Sequence, residues 1–194
     1  MRRFVDRQEG AAYHQAIAWQ DHQNLTVSVK GASDMFDILM ICTGNICRSP
    51  MAEGLLRHML PATLKPHVRV SSAGTYAMHG NRPAPHAITV MARLGIDISA
   101  HRARMVSREL IRQSDLSLVM ERNHLKMLRN MLLFNKANAK LLTAFSPDSG
   151  QTDMDVDDPY GGPIEMYQAS LDTLRPALEG LIGWLLEQPG IAEK

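Results

Sequence analysis

Phe36-Asp37-Ile38-Leu39-Met40-Ile41-Cys42-Thr43-Gly44-Asn45-Ile46-Cys47-Arg48-Ser49 runs directly into Pro50–Leu60 (PMAEGLLRHML). Phe36–Ile41 is an apolar run of strand length, and Pro50–Leu60 has the spacing of an amphipathic helix opened by proline. The loop between them therefore leaves the carboxyl end of a buried strand and enters the amino end of a helix. The first N–H groups of a helix have no partner within it, so such a junction is a ready anion site. Gly44 and Asn45 both tolerate the backbone angles that let successive N–H groups converge. Arg48 adds a planar cation able to grip an oxyanion at two points. The same positive surroundings favour the thiolate of Cys42, which beneath a phosphate cradle is a nucleophile for phosphoryl transfer.

Other chemistries fit these residues less well. Two free cysteines can be small buried apolar residues, but that use requires neither the glycine nor the Arg-Ser pair. Zinc needs four nitrogen or sulfur ligands, and neither a second cysteine pair nor a suitably spaced histidine pair occurs. The nucleotide P-loop pattern and the dinucleotide glycine pattern are both absent.

A chain of 194 residues suggests one domain with a sizeable core. Its formal net charge of +1 offers no electrostatic attraction for nucleic acid or an anionic membrane, and no apolar run approaches the ~20 residues of a membrane span. The start, MRRFVDRQEG, lacks the apolar centre of a secretory signal. The 2 cysteines lie in one loop, which is no disulfide framework and suits a reducing cytoplasm.

Residues 1–34 show no steady period and read as an N-terminal extension, disordered or weakly structured, with a partner-binding role as the alternative. Met35 precedes the first strand and is a candidate initiator. From there to residue 194 strand and helix signals alternate. The expectation is a single α/β domain: a four-stranded parallel sheet with helices on both faces and the phosphate loop after the first strand. Val68–Ser72 is the second strand, Leu116–Met120 the third and Lys140–Phe145 the fourth. Helices are expected over Pro85–Leu94, stopped by Gly95, after Ser107 as a cap, over Asn123–Leu133, and over Pro163–Leu186. Open α/β sheets bind ligands at the carboxyl ends of their strands, where the Cys42 loop lies.

A second chemical feature is Asp157-Asp158-Pro159-Tyr160. A phenolate leaving phosphorus needs a proton, which a carboxylic acid supplies. Pro159 restricts Asp158 to extended backbone, which would aim its carboxyl. Asp153, Asp155 and Asp157 crowd the loop, and like charge favours the protonated form of an acid. A solvated acidic loop is the plainer reading. A calcium loop begun at Asp153 fails, since Asp158 stands where glycine is required and Ile164 where glutamate is required.

ILMICTGNICRSPMAEGLL, together with SSAGT (71–75), GIDISAHRAR (95–104), DLSLVMERNH (115–124) and DDPYGG (157–162), resembles the low-molecular-weight protein-tyrosine phosphatase family, bacterial type. The likeness spans about residues 36–188. It implies a cytoplasmic hydrolase that acts on phosphotyrosine in proteins through a cysteinyl-phosphate, without metal or cofactor. By that resemblance Cys42 is the nucleophile, Arg48 and the loop N–H groups bind phosphate, and Asp158 is the general acid and then base. Thr43, Gly44, Asn45, Ile46, Cys47 and Ser49 form the loop and bind substrate, with Ser49 near the Cys42 sulfur or serving as the helix cap. Tyr160 and Met78 flank the substrate. Asn45, Ser72 and His101 match positions that hydrogen-bond to one another and stiffen the loop, although His101 by itself reads as a turn histidine. Cys47 matches a cysteine that shields the nucleophile by forming a disulfide with it, the alternative being a passive core residue.

Two relatives of the same fold offer alternative activities. Arsenate reductases need further cysteines, which this chain lacks. Protein-arginine phosphatases resemble it too, with threonine where this chain has Ile46, an apolar edge suited to a phenyl ring. Gly161 and Met78 stand where eukaryotic members carry aromatics. That points to bacterial members paired with a tyrosine kinase of exopolysaccharide export, whose tyrosine-rich tail is the expected substrate.

Overall fold

The computed structural model describes residues 35–132, 138–147, 155–188 and 191. The extension assigned to residues 1–34 and Asp153 of the acidic loop lie outside the described residues. In chain order the elements are β1 (Phe36–Cys42), α1 (Arg48–Met59), β2 (Val68–Gly74), α2 (Pro85–Ala92), α3 (Arg108–Gln113), β3 (Leu116–Val119), α4 (Arg122–Leu132), β4 (Ala139–Leu141), a 3-10 turn (Leu142–Phe145) and α5 (Ile164–Glu187).

The four strands form one parallel sheet in the order β2-β1-β3-β4. β1 is central and pairs along its whole length with β2, from Phe36 opposite Val68 to Cys42 opposite Gly74. Successive side chains of a strand point to opposite faces, and β1 uses both. Phe36, Ile38, Met40 and Cys42 join the core beneath α1, α2 and α5. Leu39 and Ile41 join a second core with Val106, Ile111 of α3 and Leu128 of α4. A strand covered on both sides reads as a continuous apolar run, as FDILMI does. No helix among the described residues is long and apolar enough to cross a membrane.

Local chemistry sets several boundaries. Ser107 caps α3, its hydroxyl accepting the Leu110 N–H at 3.1 Å. Gly95 takes a φ of 73°, and its N–H returns to the Ala92 carbonyl at 2.9 Å, ending the turn after α2. The fourth strand is shorter than the expected Lys140–Phe145. β4 pairs only with Ser117, Leu118 and Val119, and β3 ends there, so no ladder partner extends past Leu141. The chain instead tightens into the 3-10 turn, which puts Leu142 and Phe145 in the core. Phe145 meets Trp184 of α5 edge-on, ring centroids 5.7 Å apart.

Candidate active site

At the carboxyl end of β1, residues 43–47 curl beneath a cavity of about 220 Å³. The carbonyls of Cys42 and Thr43 accept the N–H groups of Thr75 and Tyr76, each at 2.9 Å. The Ile46 carbonyl accepts Ala84 N–H at 2.8 Å, and the Asn45 carbonyl lies 3.0 Å from His101 Nε2. In a trans peptide the N–H points opposite the preceding C=O. Tying these carbonyls outward therefore turns the N–H groups of Thr43, Gly44, Ile46 and Cys47 the other way. That is how a loop becomes an anion cradle.

The positive backbone angle falls on Asn45 (φ 54°), whereas Gly44 has an ordinary φ; of the two residues expected to bend, only one does. An L-residue in this region costs on the order of 1 kcal/mol, and the Asn45 side chain offsets it. Its Nδ2 donates to Ser49 Oγ and to Ser72 Oγ, both at 2.9 Å, and its Oδ1 accepts the Arg104 N–H at 2.9 Å. Ser72 in turn donates to Glu53 at 2.6 Å, and His101 Nδ1 lies 3.9 Å from the same carboxylate. The structure thus brings Asn45, Ser72 and His101 together, and adds Glu53 and Arg104. Gly74 is required beside them: a Cβ there would lie 2.5 Å from the Thr43 carbonyl oxygen and 2.8 Å from Asn45 N.

Cys42 is buried, with its sulfur 3.0 Å from Ser49 Oγ and 3.3 Å from the Asn45 N–H. Ser49 does not cap the helix. Cys47 occupies that position, without a side-chain bond, and Ser49 lies inside the first turn. Cys42, Thr43, Gly44, Ile46, Cys47 and Arg48 line the cavity with Tyr76, Met78, Asn81, Asp158 and Tyr160. Asn45 and Ser49, expected among the residues touching substrate, are wholly buried behind the loop. Beside Tyr160 and Met78, Tyr76 adds an aromatic wall that no sequence motif marks.

Arg48 is 1% exposed and ringed by acceptors. Its Nη2 pairs with Asp158 Oδ2 at 2.6 Å, and its Nη1 donates to the Val156 carbonyl at 2.8 Å and to Glu121. Its Nε is buried with no hydrogen-bond partner among the described residues. Buried donors are seldom left unpaired. The other oxygen of Asp158 accepts the Tyr160 N–H at 3.3 Å. Of the carboxylates expected to crowd Asp158, Asp155 turns to Arg122, accepting its N–H at 2.9 Å. Ser170 of α5 holds the loop by donating to the Asp157 carbonyl at 3.0 Å.

Cys47 is also buried, and its thiol donates to the Tyr167 hydroxyl at 3.7 Å. Burial pushes the thiol up from 9.0 to about 11, against the lowering effect of that bond. Glu121 and His124 have no role that the sequence motifs assign. Their only signal was their place in the DLSLVMERNH stretch, directly after the third strand.

Comparison with known proteins agrees with this geometry. The chain is 39% identical over 146 residues to a protein-arginine-phosphatase of Geobacillus stearothermophilus, covering 75% of this chain and 93% of that one. It is 36% identical over 157 residues to low molecular weight protein-tyrosine phosphatase A of Mycobacterium bovis, covering 80% and 95% respectively. Among solved structures, a low molecular weight protein tyrosine phosphatase from T. tengcongensis superposes with a TM-score of 0.69 at 33% identity, covering 76% of this chain and 98% of that one. The model of the low molecular weight phosphotyrosine protein phosphatases matches residues 37–189. The chain belongs to that family of phosphatases.

Proposed function

We propose that the chain hydrolyses phosphotyrosine in proteins by two successive displacements at Cys42. One observation carries this reading: the Cys42 sulfur, with Ser49 Oγ 3.0 Å away, borders a cavity that also holds a buried Arg48 paired with a half-exposed Asp158. In the first step Cys42 attacks phosphorus while protonated Asp158 gives its proton to the leaving phenol. The phosphoryl oxygens take the loop N–H groups and the unpartnered Nε of Arg48, and Nη2 exchanges Asp158 for a phosphate oxygen. In the second step water attacks the cysteinyl-phosphate, Asp158 accepts its proton, and the Ser49 hydroxyl stabilises the departing thiolate.

Tyr76, Met78, Tyr160 and Ile46 give the cavity an apolar rim fitted to a phenyl ring. The sequence resemblance makes the tyrosine-rich tail of a bacterial exopolysaccharide-export kinase the favoured substrate. A second reading, phosphoarginine, draws support from the protein-arginine-phosphatase at 39% identity. Ile46 speaks against it, because an apolar side chain leaves a polar guanidino group without a partner.

Turnover of phosphotyrosine and phosphoarginine peptides by wild type, Cys42→Ser and Ile46→Thr distinguishes them. Phosphotyrosine preference in wild type, abolished by Cys42→Ser, is the expected result. Phosphoarginine preference in wild type would overturn the substrate assignment and spare the nucleophile. No turnover of either peptide by a folded wild type would overturn both.

A further inference from the structure

Behind the cavity, Thr43 Oγ1 stands between two nitrogens, 2.9 Å from His124 Nε2 and 3.4 Å from Arg48 Nη2. A guanidinium nitrogen only donates, so the hydroxyl oxygen accepts from Arg48, and toward His124 it either donates to a lone pair on Nε2 or accepts an Nε2–H. A neutral ring makes this bond in either tautomer. His124 is 3% exposed, and its Nδ1 has no hydrogen-bond partner among the described residues. It sits in the first turn of α4, three residues after Glu121, whose Oε1 pairs with Arg48 Nη1 and lies 3.9 Å from His124 Nε2. One carboxylate is thus within reach of both cations that this cluster can hold.

We propose that His124 is a positioning residue for Arg48: the neutral ring orients the Thr43 hydroxyl toward itself and leaves Glu121 on Nη1, fixing the guanidinium so that Nε faces the phosphate, whereas an imidazolium would draw Glu121 away. This role rests on the phosphatase reading. The charged groups facing the ring are Glu121 at the end of β3, Arg48 of the phosphate loop, and Asp158 and Asp155 of the acid loop. Burial holds the imidazole below its ordinary value, against the pull of Glu121. Arg48 acts with burial, and the two aspartates act against it. At neutral pH the ring is therefore in the form that leaves Arg48 its carboxylate. As pH falls through the histidine's own range the second cation appears and the competition begins.

The test uses the full chain with His124→Leu, His124→Gln, Thr43→Val and the His124→Leu/Thr43→Val pair. Turnover of a phosphotyrosine peptide is read from pH 5 to 8, with inhibition by inorganic phosphate and thermal melting alongside. His124→Leu and Thr43→Val are each expected to lower kcat/KM by about 10- to 100-fold, the scale of a small misplacement of a catalytic group, and to weaken inhibition by phosphate. The double variant should lose no more than the worse single, because both act through one hydroxyl. His124→Gln keeps an uncharged partner for that hydroxyl and should recover most of the loss at pH 7. Its kcat/KM relative to wild type should then rise as pH falls through the lowered range of the His124 imidazole.

Additive losses, or a folded His124→Leu with wild-type turnover and phosphate inhibition, would overturn the role. A glutamine-to-wild-type ratio that stays flat from pH 8 to 5 would overturn the competition for Glu121. If His124→Leu does not fold, Thr43→Val and His124→Gln carry the same comparison. A wild type that turns over no phosphate ester sinks the phosphatase reading instead, and phosphate affinity across the variants still decides whether His124 positions Arg48.

Discussion

Ser49 Oγ lies 3.0 Å from the sulfur of Cys42, and Asn45 Nδ2 donates into that same oxygen at 2.9 Å. The hydroxyl proton has two acceptors in reach, the sulfur and the more distant Ala73 carbonyl at 3.4 Å. The nearer acceptor gains most when it carries charge, as the sulfur would in the proposed mechanism each time it leaves phosphorus. A hydrogen bond to a charged group contributes ~1.5–3 kcal/mol, so Ser49→Ala should lower kcat roughly 10- to 100-fold. Breakdown of the cysteinyl-phosphate should become the slow step. Rapid-quench kinetics should show a burst of phenol followed by slow turnover; a change in KM alone would place the hydroxyl's effect elsewhere.

Asp158→Ala should cost about 10² or more in kcat on phosphotyrosine, whose leaving phenol needs a proton. An aryl phosphate with an acidic phenol leaves without that help and should lose much less. Phosphate should bind the variant at least as well as wild type, since Nη2 of Arg48 no longer has Asp158 Oδ2 at 2.6 Å as a competitor. The measurement is the dependence of rate on leaving-group acidity, which should steepen in the variant.

Gly74→Ala tests the backing of the loop. The new methyl would meet the Thr43 carbonyl at 2.5 Å and Asn45 N at 2.8 Å, both backbone atoms. The loop must shift, and a displacement near 1 Å costs about 10² in rate. Circular dichroism should report an intact fold while turnover and phosphate affinity fall together.

Cys47 links stability to alkaline pH. Its folded thiol titrates near 11 and its unfolded thiol near 9.0. The unfolded state thus loses its proton first as pH rises. The contribution is fully present below pH 9 and drains away as pH climbs toward 11, by roughly 2 kcal/mol. The buried Tyr167 hydroxyl, raised chiefly by desolvation and next by its bond to Cys47, acts in the same sense at higher pH. Denaturant melts at pH 8 and 10.5 should show a steeper loss for wild type than for Cys47→Ala.

The shielding role that the family resemblance implies for Cys47 has its own check. Mild peroxide would convert Cys42 to a sulfenic acid, and attack by the Cys47 sulfur would expel water and form a disulfide. Dithiothreitol should then revive oxidised wild type but not oxidised Cys47→Ser. Equal recovery of the two would leave Cys47 a core residue.

Much of the architecture was legible in the chain because it depends on neighbours in sequence. The apolar run of β1, Pro50 in the first turn of α1, the Ser107 cap and the turn at Gly95 each follow from a few adjacent residues. The place of Cys42 and Arg48 at a strand-to-helix junction follows in the same way. The shortening of β4 was not legible, since Lys140–Phe145 is apolar enough for a strand and only the end of β3 at Val119 withdraws its partner.

The sequence by itself determined a parallel α/β sheet, a cysteine and a guanidinium on one loop, and an aspartate before a proline far along the chain. Tertiary structure decided how they are held. Glu121 reaches Arg48 across 73 positions, His124 reaches Thr43 across 81, and Ser72 reaches Asn45 across 27. It also put the strained φ on Asn45 and not on Gly44, because only asparagine has a side chain that can offset the strain with bonds to Ser49, Ser72 and Arg104. Local propensity acts over a few residues. A buried hydrogen bond depends on which strand ends the sheet brings side by side, and that order, β2-β1-β3-β4, exists only in the folded molecule.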